Sequence, residues 1–380
     1  MKKIFFVALS ATLLAAGCQK TEVLNSVGEP AMVFTTGMNK LTKSVGTADA
    51  DSAGTVNLKA QDFRVWAYAD YEDPNTSGTE LDKIYDGMAN LAITYTETTS
   101  EIGEGKLTSW APAKEYYWPG AGKNLRFFAV SGVNLGADLT ETNVVVPSIN
   151  RTETAVTTSL VVNDFVVNNQ SPNADLMVAD FVCQNQATKE VALKFRHTLS
   201  KVQFLFKTTA ASERPVFVQS LKVEGIKTTA TLTVADAAAD AGAIARFSWA
   251  EGNGPQAFTD DYTKTADGFP TEPEYIEGNA EDNTALKLTT NPEEFATWQV
   301  IPQSISGLKV NILYIIGERQ FESIFTLSTD NLTAWAPNQY IRYTVTLAPN
   351  VISFVPSVED WDQYDANTTT EGKQDIEMEN

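Results

Sequence analysis

Among the residue types that carry chemistry, histidine is the scarcest: the chain has one, His197, in Phe195-Arg196-His197-Thr198. One imidazole cannot build a His-rich metal cluster, and no cysteine stands near it at zinc-ligand spacing. A Ser-His-Asp relay would have to use it, yet the Gly-x-Ser-x-Gly turn that presents a nucleophilic serine is missing. His197 therefore reads as a structural, hydrogen-bonded side chain. Gly120-Ala121-Gly122-Lys123 resembles a phosphate-binding loop, but Tyr117 stands where the leading glycine belongs and Asn124 where Ser or Thr should follow the lysine. It reads as a hairpin turn. Asp70, Glu72 and Asp73 are close enough for a cation loop, but the glycine and closing glutamate of an EF-hand are not in place, so a solvated loop is expected. With 48 acidic residues, close carboxylate pairs arise by chance, and a glycosidase-type pair stays open without residues to name. Trp110, Tyr116, Tyr117 and Trp118 could stack on sugar rings or cap a core, and both readings stand at this point. No catalytic residue, metal ligand or cofactor is expected.

Cysteine offers the one clear covalent possibility. Met1–Cys18, MKKIFFVALSATLLAAGC, opens with Lys2 and Lys3 and continues as an apolar and small-residue run over 4–16. That run is too short to cross a bilayer, which takes about 20 apolar residues. Its charge order and small-residue exit are those of a secretory signal. The exit Ala15-Ala16-Gly17-Cys18 resembles a lipobox, with Leu14 one place earlier than usual; cleavage before Cys18 would leave an acylated cysteine as first residue. Acyl chains add roughly 0.8 kcal/mol per buried methylene, and stable anchoring takes more than one of them. The only other cysteine is Cys183. A lipidated Cys18 cannot pair with it, so no intramolecular disulfide is expected. Cys183 reads as a small buried side chain.

The composition narrows the partners. The formal net charge is −20, and about −22 once Lys2 and Lys3 are removed with the signal. Nucleic acid and anionic membrane surfaces are thereby disfavoured. The acidity is spread along the chain rather than held in a run. With 43% hydrophobic residues in 380, a large core is affordable without disulfides, and two domains are more plausible than one.

The elements that must position these residues are strands. From Asp62 onward the hydrophobic period is two: Phe63–Tyr68, Leu91–Tyr95, Leu125–Val130, Val144–Ile149, Leu160–Val167 and Leu176–Ala179, separated by turn signals such as Asp73-Pro74-Asn75 and Pro119–Gly122. A second set starts near Val191. It continues through Thr198–Thr208, Val216–Ile226, Thr231–Val234, Ala245–Trp249, Leu286–Thr289, Trp298–Ile301, Leu308–Ile316, Phe321–Leu327, Tyr340–Leu347 and Val351–Val355. No convincing amphipathic helix interrupts them, which predicts an all-β fold of two sandwiches. Residues 251–284 read as a long loop. Ahead of these sets lies one apolar island, Ala31-Met32-Val33-Phe34-Thr35, a short strand in a polar leader. The predicted organisation is a signal peptide over 1–17, a leader over 18–60, sandwiches over 61–188 and 189–361, and a polar tail over 362–380.

Three segments resemble the fimbrillin family, lipoprotein subunits of type V pili in Bacteroides-like bacteria. Trp110–Val130, WAPAKEYYWPGAGKNLRFFAV, is similar to the family's aromatic-Trp-Pro turn and the strand after it. Asp175–Ala179 followed by Val191–Phe206, VALKFRHTLSKVQFLF, is similar to its Phe-x-His-x-Leu-Ser-Lys-Val core, and Tyr340–Trp361 to its closing strands. The resemblance implies two transthyretin-like β-sandwiches in tandem and no enzymatic activity. It implies a precursor anchored in the outer membrane by lipid, such as palmitate, on Cys18. A trypsin-like protease would cut behind the first strand, and here Lys40 and Lys43 follow Ala31–Thr35. The departing strand would leave a groove for a strand of the next subunit, so the implied partners are other pilus subunits and host or bacterial surface ligands, at the cell-surface fimbrium. The alternative is a surface lipoprotein that never polymerises and binds glycans through exposed aromatics. Asp51-Ser52-Ala53 resembles the Bacteroides O-glycosylation acceptor, with Ser52 as the acceptor residue.

Overall fold

The structure is a computed structural model, and it describes residues 31–38, 62–72, 81–97, 108–132, 145–167, 175–188, 190–209, 214–236, 243–251, 259–265, 287–317, 319–348 and 351–360. Strands dominate, and among the described residues the only helical turns are short 3-10 segments, Gln186–Thr188 and Ala243–Arg246. In chain order the strands begin with β1 Val33–Met38, β2 Phe63–Asp70, β3 Leu91–Glu97, β4 Thr108–Pro112, β5 Asn124–Ser131, β6 Val145–Arg151 and β7 Val156–Val166. Next come β8 Met177–Ala179, β9 Val182–Gln184, β10 Glu190–His197, β11 Ser200–Lys207, β12 Val216–Lys227, β13 Thr229–Ala235, β14 Phe247–Glu251 and β15 Thr259–Thr265. The last are β16 Glu293–Val300, β17 Gln303–Ser304, β18 Lys309–Ile316, β19 Arg319–Thr326, β20 Ala334–Trp335, β21 Gln339–Ala348 and β22 Val351–Asp360.

The first sheet closes on itself. Its order is β2-β3-β4-β1-β10-β8-β5, and β5 returns to β2; β9 continues the line of β8 along the same edge of β5. Period-two alternation then fixes what is enclosed. Phe63, Val65 and Ala67 of β2, Leu125, Phe127 and Ala129 of β5, and Val191, Leu193 and Phe195 of β10 share one interior cluster. The alternate residues Trp66, Phe128, Val130 and Val178 face outward. They are covered by a second, four-stranded sheet, β14-β13-β7-β6, through Leu160, Val162, Phe165, Leu232, Val234 and Phe247.

Two more four-stranded sheets, β16-β11-β21-β22 and β15-β12-β18-β19, face each other over a third cluster. Phe204, Tyr343 and Phe354 stack at its centre, Phe204 to Tyr343 at 5.1 Å and Tyr343 to Phe354 at 4.9 Å between ring centroids. These two layers enclose the core formed by the C-terminal strands.

Several sequence expectations are corrected. The sheets do not part near 188: β10 belongs to the first sheet, and β13 pairs with β7 across that point, Leu232 opposite Val162. A polar strand, β15, lies inside the expected loop over 251–284 and pairs with β12. Of the strand expected over Leu286–Thr289, the described residues 287–289 form only a bridge from Lys287 to Phe217. Of the signal, leader and tail, only 31–38 fall within the described residues.

Candidate functional site: the slot held by the first strand

The apolar island of the leader is a working part of the closed sheet. β1 runs parallel to β10 along its whole length, from Val33 opposite Glu190 to Met38 opposite Phe195. On its other side it meets β4 antiparallel at one register pair, Phe34 opposite Trp110. The Met32 amide also donates to the Tyr116 carbonyl at 2.7 Å, and Ala31 bridges Tyr117. β1 is thus bound fully on one edge and thinly on the other, and the β1–β4 border is the seam that closes the sheet.

Alternation sorts the side chains of the island. Met32 and Phe34 point into the core, Phe34 only 1% exposed and edge-on to Phe127 at 6.4 Å. Val33 faces outward and is 50% exposed; Ala31 and Thr35 are half-buried. Burying a Phe or Met contributes about 1.5–3 kcal/mol each, and each ladder hydrogen bond roughly 1 kcal/mol net. Without β1 the slot would present Phe127, Trp118 and Val191 to water beside an unpaired β10 edge.

The aromatic cluster forms the other wall. Trp110, Tyr116 and Trp118 are buried in the same core as Phe34, so they are not a sugar-stacking platform. Tyr117 is half-buried, and its hydroxyl donates to Glu115 at 2.6 Å. Gly120–Gly122 makes the expected turn, with both glycines at positive φ and the Lys123 amide donating to the Gly120 carbonyl at 3.3 Å.

His197 is 1% exposed, its Nδ1 2.9 Å from Oδ1 of the fully buried Asp175, a structural pair inside the fold. Asp70 lies among cations rather than in a cation loop: Arg126 is 3.1 Å away and Arg151 bonds it while gripping Asp82 at 2.6 and 2.8 Å. Glu72 is exposed beyond the end of β2, and Asp73 lies outside the described residues. Cys183 is exposed, not buried. Alternation in β9 turns Val182 toward the core and Cys183 outward beside Arg126, where its thiol donates to Asp70 at 3.1 Å. Cys18, Lys40, Lys43 and Ser52 lie outside the described residues. What the sequence did not disclose is which strands flank the island. β10 was visible as an alternating run, but parallel pairing with a strand more than 150 residues earlier leaves no local mark.

The Fimbrillin-like family model matches residues 50–361. A search of curated proteins gives no match. Among solved structures, a fimbrial protein from Bacteroides vulgatus is similar at 16% identity, covering 87% of this chain and 99% of that one, with a TM-score of 0.49. A cell adhesion protein from Bacteroides uniformis shows 17% identity over 88% of this chain and 98% of that one, TM-score 0.48. The tip fimbrial protein from Porphyromonas gingivalis, with C-terminal truncation, shows 11% identity over 79% and 94%, TM-score 0.33.

Proposed function

Because the chain belongs to the fimbrillin-like family, we propose that it is a structural and adhesion subunit of a cell-surface pilus, assembled by exchange of its first strand. In this reading the chain is exported as a lipoprotein and anchored in the outer membrane through Cys18. A protease cuts after Lys40 or Lys43, and Ala31–Thr35 leaves the slot between β4 and β10. A strand from another subunit then fills it, its alternate apolar side chains taking the places of Met32 and Phe34. Transthyretin-like architecture is retained for the facing C-terminal sheets. The partners are further subunits of the same fibre.

The observation that carries the reading is the uneven grip on β1, complete along β10 and thin along β4. A strand held in this way lets the closed sheet open first at its thin β4 border, and breaking the β10 ladder afterwards leaves an edge that demands a replacement. The test is limited trypsin digestion followed by native electrophoresis. Cutting at Lys40 or Lys43, release of the leader and a ladder of oligomers are expected. Cut protein that keeps its leader and stays monomeric would overturn the reading.

A further inference from the structure

The chain passes three times between its two units, and two of these crossings lie wholly within the described residues, where each is gripped from both sides; the third joins β14 to β15 through 252–258, outside the described residues. The first is His197–Ser200, where β10 leaves the closed sheet and β11 enters the C-terminal sandwich. On the closed-sheet side, His197 pairs with Asp175, and both the amide and the hydroxyl of Thr198 donate to the Leu176 carbonyl, at 3.0 and 2.7 Å. From the covering sheet, the Trp249 indole donates to the Thr198 carbonyl at 2.9 Å. From the sandwich side, the Asn338 amide donates to the Leu199 carbonyl at 3.0 Å, and the Ser200 hydroxyl donates to the Ala336 carbonyl at 2.8 Å. The Leu199 side chain is fully buried in the core shared by the closed and covering sheets, together with Ile301 and Tyr340 of the sandwich unit.

The second crossing is Thr228, the one residue between β12 in the sandwich and β13 in the covering sheet. Its carbonyl accepts from the Val167 amide at 2.8 Å. One residue earlier, Gln303 holds both backbone groups of Lys227: its Oε1 accepts from the amide at 2.9 Å and its Nε2 donates to the carbonyl at 3.2 Å. The same Nε2 donates to the Ile301 carbonyl at 2.9 Å.

A single covalent crossing leaves two units free to rotate about it, whereas two separated and hydrogen-bonded crossings remove that freedom. We infer that the paired crossings lock the closed-sheet unit and the C-terminal sandwich in one orientation, so that the chain is a rigid link rather than two tethered beads. The consequence for a fibre rests on the pilus role proposed above. A strand seated beside β10 pulls on β10, and β10 delivers that pull through His197–Ser200 into β11, the neighbour of β21. The rigid lock itself does not depend on polymerisation.

The test uses the monomeric full chain, which separates it from any failure of assembly. With Cys18 and Cys183 replaced by Ser, nitroxides are attached through Ala111→Cys on β4 and Ile324→Cys on β19, and their separation is measured by pulsed electron paramagnetic resonance. One narrow distance distribution is expected. Trp249→Phe, Ser200→Ala and Gln303→Ala, each alone and then together, keep the strand content by circular dichroism but lose the narrow peak progressively. Should the combined variant fail to fold, the single variants decide by the same readout. A broad distribution in the parent chain, or an unchanged narrow one in folded variants that lack these bonds, overturns the inference.

Discussion

Asp70 shows how one side chain can set the chemistry of its neighbours. Desolvation works to raise its carboxyl, but the bonds from Cys183 and Arg151 and the charge of Arg126 outweigh it and hold the group below the usual carboxylate range. A carboxyl depressed in the folded state stabilises above its unfolded pKa of about 4 and loses that contribution as pH falls through the folded value. Asp70→Asn is therefore expected to lower stability at neutral pH by roughly 1–3 kcal/mol. Parent and variant should converge in acid, which urea midpoints taken from neutral to strongly acidic pH will show. Parallel curves across the range would remove the assignment. The same carboxylate acts on Cys183. Desolvation first, and then the bond and charge of Asp70, push the thiol up to about 11. At pH 8 only about a thousandth of it is thiolate, the form that reacts. Although exposed, Cys183 should alkylate slowly, and Asp70→Asn should speed it, as peptide mass mapping at Cys183 can follow. Labelling as fast as an ordinary free thiol would count against the pairing.

At the scale of elements, the proposed strand exchange rests on β1, and its two faces predict different outcomes. A peptide spanning 31–38, added to the cut and stripped protein, should bind in the vacated slot. Replacing Phe34 with Ala in that peptide should weaken binding roughly 10- to 100-fold, the value of a buried aromatic side chain. Replacing the outward Val33 with Ala should leave binding nearly unchanged, and calorimetric titration separates the two. Equal losses at both positions would mean that the peptide does not enter in the register of Phe34 opposite Val191. The island was legible because Met32, Val33 and Phe34 form the only apolar run in a polar leader, and β2, β5, β18 and β21 were legible from their alternation. β15 was not: TDDYTKT is polar throughout, and what makes it a strand is the open edge of β12. Nor was the absence of a strand over 287–289, which joins its neighbours through the Phe217 bridge and single backbone bonds to Val216 and Thr208 rather than a continuous ladder. Cys183 was misjudged because composition favours buried cysteines, whereas the parity of β9 assigned it to the outer face.

For the molecule as a whole, the period-two alternation correctly pointed to an all-β protein and the composition to a large core, but the tandem division missed that the two halves of the chain interleave. A boundary read from a polar stretch such as Gln184–Lys189 assumes that strands pair with sequence neighbours, and β7 instead pairs with β13. The consequence is a sharp expectation for a fragment ending at residue 198. It would keep β1–β10 but lose β13 and β14, leaving β6 and β7 as a bare hairpin, which is marginal in water. Leu232, Val234 and Phe247, which cover the closed sheet, would be missing. Their burial contributes roughly 5–9 kcal/mol together, comparable with the whole stability of an ordinary domain, about 5–15 kcal/mol. The fragment should therefore show no cooperative melting alone and should regain it when residues 199–380 are supplied in trans. If instead it melts cooperatively by itself at the temperature of the intact chain, the covering strands do not hold the first unit together. The slot beside β10 would then belong to a self-sufficient domain, and strand exchange could proceed in it without the C-terminal half.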